Sequence, residues 1–383
     1  MKKILFLIPS YKIGGTRTSL ESILNTISRH NREFYVYSLS KKSPNDISFL
    51  NVFQLSSSKL TNILHTPVKL ELTINNLLVL MIRILQKICF FLKVKLLEDF
   101  ILKKEAKRID KYGFDTIVAF EEQFLLQKLI KYCKCGNKIS WIHSDYSRIV
   151  KNGYNESYDN VNKIVCVSEY TRSIFLKMFP QYINKTVCIY NILDVNKIRT
   201  MALESVSEFS KNVFNIVSIG RLDPVKQFSL IPEIVSKLDE KTFKKIHWYV
   251  IGDYYVPGEY EKIIKEILKY NVQKKITLLG VKKNPYKYIY NANLLVSTSL
   301  SEACPYVINE SKILGVPILC NNFGSAREFI LDNKYGIVTT VPLMHEYINN
   351  IVNDDKFLEQ IKINLCGFSY PNKSIIHSLN CLF

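Results

Sequence analysis

The sequence offers no arrangement of cysteines that would hold a metal. Its nine cysteines are scattered, mostly inside apolar runs such as Ile88-Cys-Phe-Phe91 and Ile164-Val-Cys-Val167. The one close pair, Cys133-x-Cys135, has no second pair at metal-site spacing, so it reads as structural, and scattered thiols suit a reducing, cytoplasmic setting. Zinc-finger spacing, RNA-recognition signatures and basic zippers are missing too, which argues against nucleic acid as a partner. No uncharged apolar run reaches the length of a membrane-spanning helix. The N-terminal apolar run, Ile4 to Ile8 closed by Pro9, is too short for a signal-peptide core. Acids are in short supply: 34 Asp and Glu face 52 Lys and Arg, giving a formal charge of +18 and a pI near 9.3. With nucleic acid disfavoured, the polyanionic partners that remain are an anionic membrane face and a phosphorylated substrate.

What is present is a folded α/β chain. A hydrophobic content of 47% over 383 residues supports two domains, each with its own core. Short apolar runs at 4–8, 34–38, 116–119, 138–142, 163–167 and 187–190 alternate with helical patterns, as strands of a parallel sheet do. A second alternation runs through 215–219, 248–251, 276–279, 294–296 and 318–320. The segment Asn191–Lys197 reads as the exit from the first domain, so the division predicted is 1–193 and 194–383. Each half is expected to be Rossmann-like.

Three strand-to-helix turns carry residues of chemical interest. After the first strand come Gly14 and Gly15, which let backbone approach a ligand closely, although any tight first turn could use them. After the strand at 215–219 stands Gly220-Arg221-Leu-Asp-Pro-Val-Lys226, a planar fork and a point charge suited to a diphosphate. After the strand ending at Ser297 come Glu302, Pro305 and Glu310, followed by the stop Gly315-Val-Pro317. Proline suits a first helical turn, so a helix is predicted from about Pro305 to Leu314, with Glu302 in the loop before it and Glu310 inside it. The helix start offers backbone N–H groups to a phosphate, while the two carboxylates suit hydroxyl groups beside it. Two isolated glutamates would ordinarily be solvated surface residues; an Arg/Lys pair in the same kind of strand-to-helix loop as Glu302 is what favours binding.

In order along the chain, 4–15, Trp141-Ile-His143, Val167-Ser-Glu-Tyr170, Asn191-x-x-Asp194, Gly220-Arg-Leu-x-x-x-Lys226, Gly280-x-x-x-Asn284-Pro285 and Glu302-x7-Glu310 resemble the motifs of family 4 glycosyltransferases. The resemblance covers nearly the whole chain, and its specific parts are the Glu302/Glu310 spacing and the Arg221/Lys226 loop. It implies a GT-B fold, two facing Rossmann-like domains with a central cleft, and a nucleotide-sugar, taken to be a UDP-sugar, held mainly by the C-terminal domain. Gly14, Gly15 and Gly220 would border the donor; Arg221 and Lys226 would bind its diphosphate; N–H groups near Pro305, Tyr306 and Val307 would add phosphate contacts. Glu310 would bind the ribose, Glu302 the transferred sugar, and His143 would lie close to the reacting centre from the N-terminal side. Transfer with retention of configuration is implied by the same resemblance. Two departures stand out: Thr16-Arg17-Thr18 lacks the acid often found soon after the glycines, and the final segment, Cys366–Phe383, is a short, weakly patterned version of the usual closing helix.

The sequence contains no Asp-x-Asp, the element with which glycosyltransferases of the other large fold fasten a divalent cation, so no metal and no separate cofactor are expected. Residues 69–95 mix apolar runs with Arg83, Lys87, Lys93 and Lys95, a composition that suits a membrane interface as well as a basic-fringed core helix. Lipid-linked acceptors are frequent in the surface-polysaccharide members of the family. The expectation is therefore a cytoplasmic enzyme, peripheral on the inner membrane face, moving a hexose-type sugar to a glycan or lipid-linked acceptor. A nucleotide-sugar 2-epimerase or hydrolase of the same fold, or a non-catalytic glycosyltransferase-like subunit, are the alternatives.

Overall fold

A computed structural model describes residues 1–11, 14–40, 52–65, 96–150, 158–253 and 256–383, with Met81 and Ile84. Apart from those two residues, the basic apolar stretch 69–95 lies outside the described residues, as do Lys12 and Ile13. The chain divides into two compact units, Met1–Ile192 with Lys373–Phe383, and Leu193–Asn372.

The first unit is built on a seven-stranded parallel sheet in the order β3-β2-β1-β4-β5-β6-β7. Its strands are β1 (Lys2–Ile8), β2 (Arg32–Ser38), β3 (Phe53–Ser56), β4 (Thr116–Ala119), β5 (Asn137–Ile142), β6 (Lys163–Cys166) and β7 (Thr186–Cys188). From Ile4 to Ile8 every residue of β1 is buried, because helices cover both faces and a continuous apolar run is what such a strand needs. The strand β3 was not anticipated. Phe-Gln-Leu-Ser is short and half polar, and an edge strand needs burial on fewer positions. It is secured by Phe53 stacking on Tyr35 across the pair, with ring centroids 4.7 Å apart.

The second unit carries a six-stranded parallel sheet in the order β10-β9-β8-β11-β12-β13. Its strands are β8 (Phe214–Ile219), β9 (Ile246–Ile251), β10 (Ile276–Gly280), β11 (Leu294–Ser297), β12 (Ile318–Asn321) and β13 (Gly336–Thr339). The anticipated helix is present at Tyr306–Ile313 with Pro305 as its N-cap. The strand β13 was also missed: four residues beginning with glycine give too weak a pattern. No described helix is long and apolar enough to cross a membrane.

The chain's last segment differs from the expected division at 194–383. A helix, Asn372–Leu382, forms, and Lys373–Phe383 belongs to the first unit. Ile375, Leu379 and Phe383, spaced four apart, make a buried apolar stripe on one helix face. The Phe383 ring meets Phe6 of β1 at 5.7 Å, and its carbonyl accepts from Lys2 Nζ at 2.9 Å. Arg32 donates to Asn380 Oδ1 at 2.6 Å. Three well-spaced apolar residues suffice to close the unit, which is why so weak a pattern folds back.

Candidate active site

In an open α/β sheet, ligands bind beyond the C-terminal strand ends where the strand order reverses, because the loops of the two diverging strands part there. In the second sheet that point lies between β8, whose successor β9 goes to one side, and β11 on the other. The loops leaving these two strands are Gly220–Lys226 and the one carrying Glu302 and Pro305. Sequence reasoning had singled out both loops without knowing that they adjoin.

They are fastened together at several points. Leu300 N–H donates to the Val225 carbonyl at 2.7 Å, and the Thr298 hydroxyl donates to the Lys226 carbonyl at 2.7 Å. Lys226 Nζ then bridges to Glu302 Oε1 at 2.5 Å, and the Ser299 hydroxyl donates to the same oxygen at 2.8 Å. Ser325 closes the loop from beneath by donating to the Glu302 carbonyl at 2.8 Å. The sequence reading gave Lys226 to a phosphate and Glu302 to a sugar as separate tasks; the structure couples them as an ion pair. A diphosphate that takes Lys226 therefore competes with Glu302 for the three N–H donors of one ammonium.

Arg221 is half-exposed and faces Asp223 at 3.6 Å. Asp223 in turn accepts from Val225 N–H at 3.0 Å and Lys226 N–H at 3.1 Å, which holds the cation loop in a tight turn. Gly252, after β9, was not identified from sequence. A Cβ there would sit 1.7 Å from the Gly220 carbonyl oxygen, so only glycine lets the β9 end pack against this loop. Gly220 is itself close to Lys226, with a Cβ position 3.0 Å from Lys226 Cε.

The helix after Pro305 has no side-chain cap, and its first internal hydrogen bond runs from Asn309 N–H to the Pro305 carbonyl at 3.3 Å. The first-turn N–H groups of Tyr306, Val307 and Ile308 thus point out of the helix start, where an anion is favoured. Glu310, one turn further, is buried enough that desolvation pushes its carboxyl up to about 7. Burial, and after it the charges of Glu310 and Asp194, raise the Tyr286 hydroxyl well above the ordinary phenol. Gly220, Arg221, Lys226, Glu302, Pro305, Tyr306, Val307 and Glu310 are all contributed by this unit.

His143, Gly14 and Gly15 belong to the first unit, at the corresponding edge of the first sheet. There the order reverses between β1 and β4. Gly14 caps the helix Gly15–Thr26; its φ of 169° is extended backbone, and a Cβ on it would meet no atom of the described residues, so none of them requires glycine there. His143 follows β5. Its ring lies parallel to Trp141 at 6.2 Å and tilts against Phe120 at 4.8 Å. Burial lowers its pKa to about 3, so the imidazole is neutral at working pH. Its Nε2 and the Trp141 Nε1 are buried without a hydrogen-bond partner among the described residues.

Two carboxylates here escaped the sequence reading, although they directly follow an apolar strand. Glu122 Oε2 accepts from the His143 backbone N–H at 2.9 Å and so ties the β4 and β5 loops together. Glu121 hydrogen-bonds Thr16, at the start of the helix Gly15–Thr26, while burial and the adjacent Glu122 push its carboxyl up to about 7.

Residues 202–365 match the family of glycosyl transferases group 1. An uncharacterized glycosyltransferase of Methanocaldococcus jannaschii is 25% identical over 277 residues, 65% of this chain and 67% of that one. A Campylobacter jejuni enzyme, N-acetylgalactosamine-N,N'-diacetylbacillosaminyl-diphospho-undecaprenol 4-alpha-N-acetylgalactosaminyltransferase, is 30% identical over 182 residues; the match spans 46% of this chain and 47% of that enzyme. The Anabaena protein Alr3699/HepE, solved in complex with UDP-glucose, superposes with a TM-score of 0.73 at 17% identity, covering 100% of both chains. The second unit, with its cation loop and paired glutamates, thus carries a glycosyl transferases group 1 domain over residues 202–365, and the two parallel Rossmann-like sheets give the chain the GT-B fold.

Proposed function

We propose that this enzyme transfers a hexose-type sugar, with retention of configuration, from a UDP-sugar to a lipid-linked glycan in the assembly of a cell-surface polysaccharide. The observation that carries the donor half is the Lys226–Glu302 bridge at the switch point of the second sheet, beside an uncapped helix start. Arg221, Lys226 and the N–H groups of Tyr306 and Val307 hold the diphosphate. Glu310 accepts from the ribose hydroxyls, and Glu302 positions the transferred sugar. Breaking the bond from the anomeric carbon leaves its electron pair on the diphosphate, where each charged hydrogen bond contributes about 1.5–3 kcal/mol. The acceptor oxygen forms the new bond to that carbon, and its proton goes to the departing phosphate oxygen.

The acceptor class is supported by the Campylobacter relative, which by its name acts on a diphospho-undecaprenol-linked sugar. A membrane-facing role is supported by the helix Leu96–Asp110, on which Phe100, Lys103, Lys104 and Lys107 form one exposed face. In the sequence this helix comes directly after the basic, apolar residues 69–95. A thermal-shift screen of nucleotide-sugars, followed by transfer assays with the best stabiliser and polyprenyl-diphosphate-linked sugars, tests the proposal. Stabilisation by no nucleotide-sugar refutes the donor half; donor consumption without any glycolipid product refutes the acceptor half.

A further inference from the structure

The first sheet has a switch point of its own, and its contents are those of a hydroxyl-binding site. The Glu121 backbone is held rigidly: its carbonyl accepts from Gln127 Nε2 at 3.0 Å, and Gln127 Oε1 accepts from the buried Ser140 hydroxyl of β5 at 2.9 Å. Its side chain reaches across to Thr16, at the start of the helix Gly15–Thr26 that follows β1, the strand on the other side of the reversal. Next to it Glu122 is occupied with the His143 backbone, so of the two carboxyls Glu121 is the one directed toward the diglycine turn. The same edge carries His143 Nε2, buried with no partner among the described residues. A carboxyl and an imidazole nitrogen with unspent hydrogen-bonding capacity, at the C-terminal edge of a parallel sheet, are what a polyhydroxylated ligand matches.

Resting on the glycosyl-transfer reading above, we propose that Glu121 is the acceptor-binding carboxyl of this enzyme, taking a hydrogen bond from a hydroxyl of the acceptor sugar while His143 Nε2 meets a second one. Glu121 thereby supplies, from the β4 loop, the acid that Thr16-Arg17-Thr18, at the start of the helix after β1, lacks. Position explains the substitution: the β4 loop and the helix start after β1 flank one sheet-edge crevice, so a carboxyl rooted on either can serve it. The raised affinity of this carboxyl for its proton agrees with a group desolvated in advance of its ligand.

The test is binding, measured on the full chain. Saturation-transfer NMR with the octyl glycosides of glucose, galactose, N-acetylglucosamine and N-acetylgalactosamine reads the acceptor site, and calorimetry with UDP reads the donor site. Wild type is expected to bind at least one glycoside, Glu121→Ala to bind it tenfold or more weakly, and UDP affinity to change less than twofold. Thr16→Val, which removes the hydroxyl partner of Glu121, is expected to weaken the same glycoside severalfold and serves if Glu121→Ala does not fold. Equal glycoside binding in wild type and variant, or none in wild type, overturns the proposal. Failure of UDP to bind wild type would instead count against the donor reading and leave the glycoside result to stand on its own.

Discussion

The Glu310 carboxyl holds its proton up to about pH 7 because burial strips it of water. Ribose hydroxyls that donate to it favour the charged form, so nucleotide binding must expel that proton. If only the ionised form binds, affinity follows the ionised fraction, roughly 0.1 at pH 6 and 0.9 at pH 8 for a group titrating near 7. UDP affinity should then rise about tenfold between pH 6 and pH 8, with about 0.9 proton released per nucleotide at pH 6 and about 0.1 at pH 8. Stability without nucleotide runs the opposite way. The folded state keeps a proton that an unfolded glutamate gives up near 4.5, so this group's contribution is full below 4.5 and is lost as pH rises toward 7. Calorimetry in buffers of different ionisation heat counts the protons, and Glu310→Gln is the control in which any titration of the nucleotide itself persists. An identical pH dependence in wild type and Glu310→Gln, with both folded, would refute the assignment of Glu310 to the ribose.

Three further outcomes are expected. On the proposal that Arg221, Lys226 and the helix start at Pro305 supply the positive charge, transfer should persist in excess EDTA and collapse in the Arg221→Ala/Lys226→Ala double variant; loss of activity in EDTA restored by Mg²⁺ or Mn²⁺ would contradict this. Gly252→Ala places a methyl group on the Gly220 carbonyl and should cost about 2–3 kcal/mol, lowering the Tm by roughly 5–10 °C and weakening UDP binding through the displaced loop; an unchanged melting curve would show that the loop yields freely. The protein should sediment with anionic vesicles and be released by salt, and neutralising Arg83, Lys87, Lys93 and Lys95 together should abolish binding; equal binding to neutral vesicles would rule out the electrostatic attachment.

Much of the architecture was legible because parallel strands covered on both faces must be continuous apolar runs. Ile4–Ile8, Thr116–Ala119 and Ile318–Cys320 announce themselves without any partner being known. The helix start at Pro305 was legible for a different reason, since proline at a helix entrance and glycine at its exit are local preferences of the backbone. Phe53–Ser56 and Gly336–Thr339 were not legible, because an edge position or a glycine start relaxes the pattern on which recognition depends. Nor was the return of Lys373–Phe383 to the first unit, where the fit of Phe383 against Phe6 joins residues 377 positions apart.

By itself, then, the sequence determined which residues lie at strand ends and which charges they carry: Arg221, Lys226, Glu302, Glu310 and His143 all follow short apolar runs or sit on the helix behind one. Strand order was decided only in the tertiary structure, and with it every pairing that matters at the site. Lys226 meets Glu302 because β11 lies beside β8, and Glu121 meets Thr16 because β4 lies beside β1. Local patterns encode whether a segment is a buried strand, since that depends on its own side chains. Which strand becomes its neighbour depends on how all the apolar faces are covered at once, and that is a property of the packed whole.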